Sequence, residues 1–566
     1  MVNSAKTAII NKRMEYTQDD FRGGINQLDD DTGIKDNEYV LLVNGRQRHG
    51  QVQPIRKSVE QRLPFVGNPQ ALLSVGNTLL LIISGRAYYR IYGQSTWIRI
   101  ADFSMDATAS RVWLLALPKS SRDFVRKLNV SLNNPIIINT DFNVSGTPAG
   151  ILVQDGINQP WLIQFNAVTQ TFVARVTKTY AQWANTSTTA NDREYVPIGK
   201  QMFMLNEKLF ILAPDSKSIY QSVTGRPLDF MVNVDEDGNK LVAESEGGAS
   251  SVSFAFDSDD ITCIRDVNIT NTFLYGTARH VRLITLDYTQ TIFGEPYPTQ
   301  AQKIEAGILN DQCFVDALGD YTFIDNDGIK SFNAVQNLRV EGRNAVFSQQ
   351  VDRLMAGRVQ ESDTAAAYAF NNYGLYYCKT LHGRAIAVYD MLRQVWVSLD
   401  ITTVQNVKQF CALENGAISV LYAITDTAVW EMYTADTREM GQLHIKALMP
   451  EDIKNEHKGH WVKPIFRGAT IDGVVEVQEK ADDQQSQRQT RDTENSVMAM
   501  TWPLFFPITF SSKPNAYNNA FIVDKGLAGK KLAYVILWNT DASLMNIGIN
   551  TSEQEAVAAT RQTGTN

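Results

Sequence analysis

The sequence predicts an all-β fold: a β-propeller of six or seven blades with an extended N-terminal arm and a C-terminal β-sandwich-like domain. One observation behind this prediction is a period-two alternation of apolar and polar residues from about residue 61 to 435, which is typical of half-buried strands. A second is a strand–turn–strand unit that recurs at intervals of 42 to 78 residues. Its turn residues are Asn77, Asp155, Asn206, Asn271, Asp327, Tyr373 and Asn415.

The length of this unit favours a propeller, whose four-stranded blades take about 40–50 residues before insertions. Each such sheet can bury its faces only against its neighbours, and radial closure leaves few exposed strand edges. Several units end in a short strand-like run with a tryptophan, namely Trp97, Trp161 or Trp396. Because spacing alone does not establish closure, a long β-sandwich and a β-solenoid are the alternatives.

Four regions are predicted from changes in composition. Residues 1–60 are rich in turn formers and are expected to be an assembly arm, and residues 61–437 form the propeller. Residues 438–550 resume the alternation and are expected to be an antiparallel β-domain, interrupted by a polar loop at 479–496. Residues 551–566 are predicted to be a flexible tail.

The overall composition excludes some classes of function. The 566-residue chain has 53 basic and 61 acidic residues and a net charge of −8, which argues against a nucleic-acid reader with a broad basic face. It does not argue against DNA sliding past a weakly repulsive wall. The N-terminus lacks the apolar core of a secretory signal, and no apolar run is long enough for a membrane span, so cytosolic synthesis is expected.

The reactive residue types form no catalytic pattern, and the chain is therefore predicted not to be an enzyme. The four cysteines have no CxxC spacing and are expected to be small buried hydrophobes: Cys263, Cys313, Cys378 and Cys411. His457 and His460 are expected to be an exposed pair in a turn rather than metal ligands. The acidic cluster at Asp257, Asp259 and Asp260 is expected to be solvated.

One acidic stretch, NVDEDGNKLVAE at 233–244, has the spacing of an EF-hand calcium loop. Its matching residues are Asn233, Asp235, Asp237, Gly238 and Glu244. Pro227 before the stretch and Gly247 after it oppose the two flanking helices that an EF-hand requires. We therefore predict a surface turn or insertion and no cofactor, with a calcium site as the alternative.

A basic run in the N-terminal region is a candidate contact with a phosphate backbone or an acidic partner. The candidate residues are Arg46, Arg48, Arg56 and Lys57. A solvated surface without a partner is the competing interpretation.

Several segments of the chain resemble the tail nozzle proteins of short-tailed bacteriophages, also called tail tubular protein B-like or packaged-DNA stabilisation proteins. RGGINQL (22–28) followed by VNGRQRHGQVQPIRK (43–57) is similar to the N-terminus of that family. ILVQDGINQPWLI (151–163), EKLFILAPDSKSIYQSVTGRPLDF (207–230) and RAIAVYDMLRQVWVSLD (384–400) resemble later segments in the same order. The chain is shorter than the longest members, so large fibre-docking insertions are not expected.

This resemblance implies a structural virion protein of the phage tail, assembled in the host cytoplasm. Such a protein would form a ring, usually a hexamer, below the portal and its adaptor. It would extend the DNA conduit, retain the packaged genome and open for ejection. The implied partners are other copies of the chain, the portal and adaptor rings, tail fibres, and double-stranded DNA that passes without sequence recognition.

Two other functions remain open from the sequence. A carbohydrate-binding or carbohydrate-cleaving propeller, such as a virion adhesin, could use Trp97, Trp161 and Trp396 to stack on sugars. A scaffold propeller for cellular proteins is the third possibility, although no WD or kelch signature is present.

Overall fold

The computed structural model of the chain describes residues 12–118, 150–166, 171–176, 196–222, 224–225, 227–228, 230, 250–252, 258–292, 295–333, 349–355, 358–361, 364–416, 418–449, 455–467, 474–482, 484–485, 488–492, 516–517, 521–522 and 528–555. The all-β prediction is confirmed, because strands dominate these residues. Helical segments among them are short and include a 3-10 turn at Gln349–Val351 and a single α-turn at Asp352–Met355.

The N-terminal region contains seven strands. They are β1 (Lys12–Gln18), β2 (Gly24–Ile25), β3 (Glu38–Tyr39), β4 (Leu41–Val43), β5 (Gly45–Arg48), β6 (Gln51–Pro54) and β7 (Val59–Gln61).

Seven antiparallel sheets follow along the described chain, and we number them sheets 1 to 7. Sheet 1 is β8 (Pro69–Val75), β9 (Thr78–Ile83), β10 (Arg86–Ile91) and β11 (Ile98–Arg99). Sheet 2 is β12 (Trp113–Leu117), β13 (Gly150–Gln154), β14 (Trp161–Asn166) and β15 (Thr171–Val176). Sheet 3 is β16 (Met202–Leu205), β17 (Lys208–Leu212), β18 (Ile219–Gln221) and β19 (Ser250–Val252).

The remaining four sheets continue in chain order. Sheet 4 is β20 (Ile261–Asp266), β21 (Thr272–Thr277), β22 (Val281–Ile292) and β23 (Glu295–Ile304). Sheet 5 is β24 (Phe314–Ala317), β25 (Asp320–Asp325) and β26 (Gly328–Ser331). Sheet 6 begins with β27 (Ala366–Phe370), β28 (Tyr373–Thr380), β29 (Gly383–Asp390) and β30 (Val395–Asp400). Sheet 7 is β31 (Gln409–Asn415), β32 (Ile418–Ile424), β33 (Val429–Glu431) and the N-terminal strand β7.

The C-terminal region supplies ten more strands. They are β34 (Gly441–His444), β35 (Asn455–Arg467), β36 (Val474–Ala481), β37 (Gln484–Gln485), β38 (Gln489–Asp492), β39 (Ala516–Tyr517), β40 (Phe521–Ile522), β41 (Ala528–Gly529), β42 (Leu532–Trp538) and β43 (Ser543–Glu555).

Adjacent sheets pack side by side through their first strands. β8 lies beside β12, β12 beside β16, and β16 beside β20; β24 lies beside β27, β27 beside β31, and β31 beside β8. Sheets 4 and 5 are joined by a 2.5 Å hydrogen bond from Asn268 Nδ2 to Asp316 Oδ2. Each of the seven turn residues identified from the sequence lies in a different sheet, so the recurring unit is real.

Apolar side chains fill the spaces between neighbouring sheets. Leu72 and Leu81 of sheet 1 pack with Leu413 and Tyr422 of sheet 7 in one buried cluster. Similar clusters join sheets 1 and 2, sheets 3 and 4, and sheets 6 and 7. The sheets therefore bury their faces against each other, as the recurring alternation predicts.

The N-terminal region differs from the expected extended arm. β1 pairs with β43, β4 lies between β30 and β34, and β7 forms the outer strand of sheet 7. Phe21 and Tyr39 are fully buried, and Tyr39 Oη donates a hydrogen bond of 2.8 Å to the carbonyl oxygen of Val397. These short strands have partners several hundred residues away, which local sequence patterns do not reveal.

Two sheets pack face to face in the C-terminal region. One contains β35 and β43 with β1, β5 and β6; the other runs from β30 of sheet 6 through β4 and β34 to β42 and β36. The rings of Phe466 and Trp538 meet between them with centroids 6.0 Å apart. The C-terminal region thus shares a continuous sheet with sheet 6, and β37 and β38 lie where the polar loop at 479–496 was expected.

Candidate functional site

Charged and aromatic side chains connect the segments that precede the first strands of sheets 2, 5 and 7. We call Arg111, Trp113, Asp311 and Lys408 the central cluster. Arg111 Nη1 lies 2.6 Å from Asp311 Oδ1, and Trp113 Nε1 donates to Asp311 Oδ2 at 3.1 Å. Arg111 Nη2 also donates to the carbonyl oxygen of Lys408 at 3.4 Å. These bonds connect sheets 2, 5 and 7, which are far apart in the sequence.

The space beside the central cluster is almost completely filled. A cavity of about 10 Å³ is lined by Gln70, Arg111, Gln312, Lys408 and Gln409, among others. Such a volume holds about one water molecule. Arg111 and Asp311 are 19% and 11% exposed, so the ion pair is largely shielded from solvent.

Glutamine side chains join the first strands of adjacent sheets. Gln409 Oε1 accepts from Leu72 N at 3.1 Å, and Gln409 Nε2 donates to Leu72 O at 3.0 Å, which links sheet 7 to sheet 1. Gln201 makes the equivalent pair between sheets 3 and 4, with Ile264 N at 2.7 Å and Thr262 O at 2.7 Å. A primary amide suits this position because it offers one donor and one acceptor to an exposed strand edge.

A second polar site fixes the N-terminal region to sheet 6. The Arg46 guanidinium on β5 contacts both carboxylate oxygens of Asp400, at 2.7 and 2.5 Å. Ser398 Oγ and Tyr433 Oη donate to the same carboxylate at 2.9 and 2.8 Å. The Asp400 side chain has no exposed surface. Burial alone would lower the pKa of Arg46, but the charge and hydrogen bonds of Asp400 outweigh it and raise that pKa.

The four basic residues predicted as a contact site therefore have different environments. Arg46 is committed to Asp400, and the structure corrects its prediction as a partner contact because its side chain is only 17% exposed. Arg48, Arg56 and Lys57 are exposed. The backbone of Arg56 bridges to Arg438, and Lys57 N donates to Thr437 O at 2.9 Å, so the exposed side chains sit on a fixed backbone. Their role as contacts stays a prediction.

The RGGINQL segment lies in a buried junction next to sheet 6. Gly24 has a φ of +79°, and a Cβ there would come within 2.6 Å of the Trp396 carbonyl oxygen. Asn26 Nδ2 donates to Glu38 Oε2 at 2.8 Å, and Gln27 Nε2 donates to Val40 O at 3.1 Å. The glycine is required by backbone conformation and by space, and the two amides complete a polar turn.

The three tryptophans considered for sugar stacking have different environments. Trp396 is 1% exposed, and Trp97 is 8% exposed with its Nε1 donating to Arg62 O at 3.0 Å. Trp161 is half-buried, packs on Phe103 at a centroid distance of 5.2 Å, and borders a cavity. Two of the three rings are thus enclosed by protein, and Trp161 alone among them borders a cavity in the described structure.

The two histidines predicted to lie in a turn are on strand β35 instead. His457 is buried at 1% exposure, 3.5 Å from Thr551 Oγ1, and His460 Nε2 lies 2.8 Å from Ser552 Oγ. The alternation of apolar residues is weak around Gly459, and this concealed the long strand. Among the described residues, no group of three or more histidine, cysteine, aspartate or glutamate side chains is arranged to hold a metal ion.

Other reactive residues have structural surroundings. All four cysteines are buried free thiols, as predicted, and burial raises the pKa of Cys411 to about 11. Asp259 and Asp260 pair with Arg279 and Lys217, whereas Asp257 lies outside the described residues. The stretch at 233–244, with Asn233, Asp235, Asp237 and Glu244, also lies outside them, so the choice between turn and calcium site stays a prediction.

One histidine that the sequence did not single out has a strongly shifted pKa. His444 on β34 is half-buried and is hydrogen-bonded to the Gln442 amide. Burial, followed by the nearby Lys480 and His382, lowers the pKa of His444 to about 4. The imidazole is therefore neutral in the folded protein at neutral pH.

Sequence reasoning also missed the central cluster. Arg111 and Asp311 are isolated charges in connecting segments, 200 residues apart, and no motif relates them. Asp311 lies just before a predicted unit, but the strand that follows Arg111, β12 (Trp113–Leu117), was not predicted, so no signal in the sequence related the two residues.

Comparison with known proteins adds no assignment. No family model matches the chain, and no curated protein matches it significantly. In the described part of the chain, no helix has the length and apolar character needed to cross a bilayer.

Proposed function

We propose that sheets 1 to 7 are the blades of a seven-bladed β-propeller. The proposal is supported by the order of first strands, which returns from β31 to β8, and by the hydrogen bonds between Gln409 and Leu72. It is also supported by β7, because an N-terminal strand completes the last sheet before the first sheet begins. A shared sheet of this kind joins the two ends of a cyclic array and protects its edges.

We further propose that the chain is a structural subunit of the tail of a short-tailed bacteriophage. Copies of it form a ring, a hexamer by analogy, below the portal and adaptor, where the ring extends the DNA conduit, retains the packaged genome and allows its ejection. The phage assignment rests on the resemblance of RGGINQL and the later segments to tail nozzle proteins.

The central cluster carries the argument about where DNA runs. The ion pair between Arg111 and Asp311 and the small cavity beside it fill the meeting point of the sheets. We infer from this that the double helix does not run through the middle of one subunit. A DNA conduit built from this protein must lie between several copies, which requires head-to-tail contacts that close into a ring.

The charge of the subunit suits this role. A net charge of −8 gives weak attraction for DNA as a whole, so the genome can slide along the conduit. Arg48, Arg56 and Lys57 are exposed on the N-terminal region and are available to an acidic partner.

The test is the oligomeric state of the full-length protein with and without a purified portal–adaptor complex, measured by mass photometry and negative-stain electron microscopy. We expect a ring of several copies, or a monomer that forms one on the portal–adaptor complex. A persistent monomer that does not associate with the portal–adaptor complex would overturn the proposal.

A further inference from the structure

The cavity beside Trp161 has the shape and chemistry of a carbohydrate site. We propose that it binds a neutral hexopyranose unit of a glycan, with the indole of Trp161 as the stacking surface. This binding would be additional to the proposed role in the DNA conduit and does not depend on it. The cavity lies between sheets 1 and 2 and measures about 430 Å³, within the usual range for small-molecule sites.

Two segments form the walls of this cavity. One is Ser104–Asp106, which follows sheet 1, and the other is the turn Ile157–Gln159 between β13 and β14. Trp161 begins β14 directly after this turn. Because its ring packs on Phe103 at 5.2 Å, the indole is held in position without a ligand.

Asp155 makes the turn rigid. Its Oδ1 accepts from Ile157 N at 2.9 Å and from Asn158 N at 2.7 Å. Its Oδ2 accepts from Asn158 Nδ2 at 2.7 Å and from Asp106 N at 3.2 Å, which ties both walls of the cavity to one carboxylate. A site held by its own hydrogen bonds loses little conformational entropy when it binds a ligand.

Polar atoms at the wall remain available for hydroxyl groups. The bond from Asn158 Nδ2 to Asp155 leaves the Asn158 side-chain oxygen as an acceptor. Asp106 Oδ1 is occupied by Thr108 N and Oγ1, at 2.8 and 2.7 Å, which leaves Oδ2 as a second acceptor. Gln159 also lines the cavity, and its Nε2 amide is buried without a hydrogen-bond partner, so it can donate to a ligand oxygen once the side chain turns towards the cavity.

The charges of the residues that line the cavity indicate which class of ligand it can bind. Among the described residues that line the cavity there is one carboxylate, Asp106, and no lysine or arginine. This set disfavours phosphates and acidic sugars. A pyranose ring fits because its C–H face can lie on an indole while its hydroxyl groups reach amides and a carboxylate.

The test is saturation-transfer-difference NMR on the full-length protein with glucose, galactose, mannose and N-acetylglucosamine as probes. We expect transfer to the ring protons of at least one sugar. Dextran, a glucose polymer, is added as a further probe. Stronger transfer to dextran than to glucose indicates that the site binds a glycan chain rather than a free monosaccharide. Thymidine serves as the competing probe, because a nucleobase could also stack on an indole.

Three variants make the result specific. Trp161→Phe and Asn158→Ala should each weaken binding by about tenfold, the size of one lost stacking contact or hydrogen bond. Tyr92→Ala, which removes an exposed aromatic ring elsewhere on sheet 1, should bind as the wild type. Asn158→Ala is an exposed change and tests the site even if Trp161→Phe fails to fold.

The proposal is overturned if the folded wild-type protein shows no transfer to any of the four sugars. It is also overturned if thymidine alone binds, or if Asn158→Ala and Trp161→Phe bind sugar as the wild type does. None of these outcomes bears on ring formation, which is measured separately.

Discussion

The side chain of Gln409 hydrogen-bonds both the amide nitrogen and the carbonyl oxygen of Leu72, at 3.1 and 3.0 Å. These residues lie on the first strands of sheet 7 and sheet 1, 337 positions apart. One side chain thus replaces the ladder bonds that a further strand would make with the exposed edge of β8. The contact joins the last sheet to the first.

We predict that Gln409→Leu destabilises the protein by loosening this connection. The substitution leaves two backbone groups of Leu72 without partners, and each unpaired buried group costs about 1–3 kcal/mol. Urea unfolding should show a lower free energy of unfolding, and hydrogen–deuterium exchange should become faster in β8. Gln405→Leu is the control, because Gln405 bonds only to the nearby Thr402 carbonyl oxygen. Equal stability of the two variants would contradict the role of Gln409.

A second prediction concerns the buried pair of Arg46 and Asp400. Arg46→Met leaves the Asp400 carboxylate buried without its cation, and removing one partner of such a pair costs about 3–5 kcal/mol. Thermal and chemical denaturation of Arg46→Met should show this loss. The double variant Arg46→Met with Asp400→Leu should be less destabilised than the sum of the single variants, because no unpaired charge remains.

Arg48 provides the matched control for this pair, since it lies on the same strand β5 and is exposed. Arg48→Met should change the free energy of unfolding by no more than about 0.5 kcal/mol. Similar losses for Arg46→Met and Arg48→Met would show that the Asp400 contact contributes little.

The third prediction is a pH dependence that originates at His444. Its pKa in the folded protein is about 4, below the ordinary value of about 6.5. As the pH falls from about 6.5 to about 4, the unfolded chain takes up a proton that the folded protein excludes, so stability decreases over this range. Below about pH 4 both states are protonated at this residue and its contribution to the pH dependence ends.

The variant His444→Gln isolates this effect from that of the carboxylates. Each pKa unit corresponds to about 1.4 kcal/mol, so the wild type should lose a few kcal/mol more than the variant between pH 7 and about pH 4. Urea denaturation at a series of pH values measures the difference. Parallel curves for the two proteins would refute the assignment to His444.

The fourth prediction tests the exposed basic residues. Neutralising Arg48, Arg56 and Lys57 together, each to glutamine, should weaken association with the portal–adaptor complex and reduce its dependence on salt concentration, because fewer ionic contacts are then formed. Co-sedimentation at increasing sodium chloride concentrations gives both quantities.

The control for this triple variant removes the same charge elsewhere. In this control, Arg99, Lys217 and Arg279 are each replaced by glutamine. The three side chains are exposed and basic, and they lie on sheets 1, 3 and 4. If both triple variants associate equally well, net charge explains the behaviour and the N-terminal basic surface has no specific role.

The repeating units could be found from the sequence because their signals are local. Alternation along strands such as Thr78–Ile83, and turn residues such as Asn206 and Asn271 with φ of 50° and 58°, depend on neighbours in the chain. The burial of the cysteines followed in the same way from their apolar surroundings. That Arg46 is paired with Asp400 while Arg48 is exposed could not be predicted. The two residues occupy similar sequence contexts and differ only in their proximity to Asp400.

The sequence by itself determined an all-β chain with a repeated strand unit, whereas the resemblance of its N-terminal segment to tail nozzle proteins stays a prediction. Tertiary structure alone decided that strands of residues 12–61 pair with distant strands, that His457 is buried in a long strand, and that Arg111 forms an ion pair with Asp311. The physical reason is the distance along the chain over which each feature is determined. Strand periodicity and turn conformation are set by adjacent residues, whereas strand partners, ion pairs and cavities depend on residues brought together only by folding.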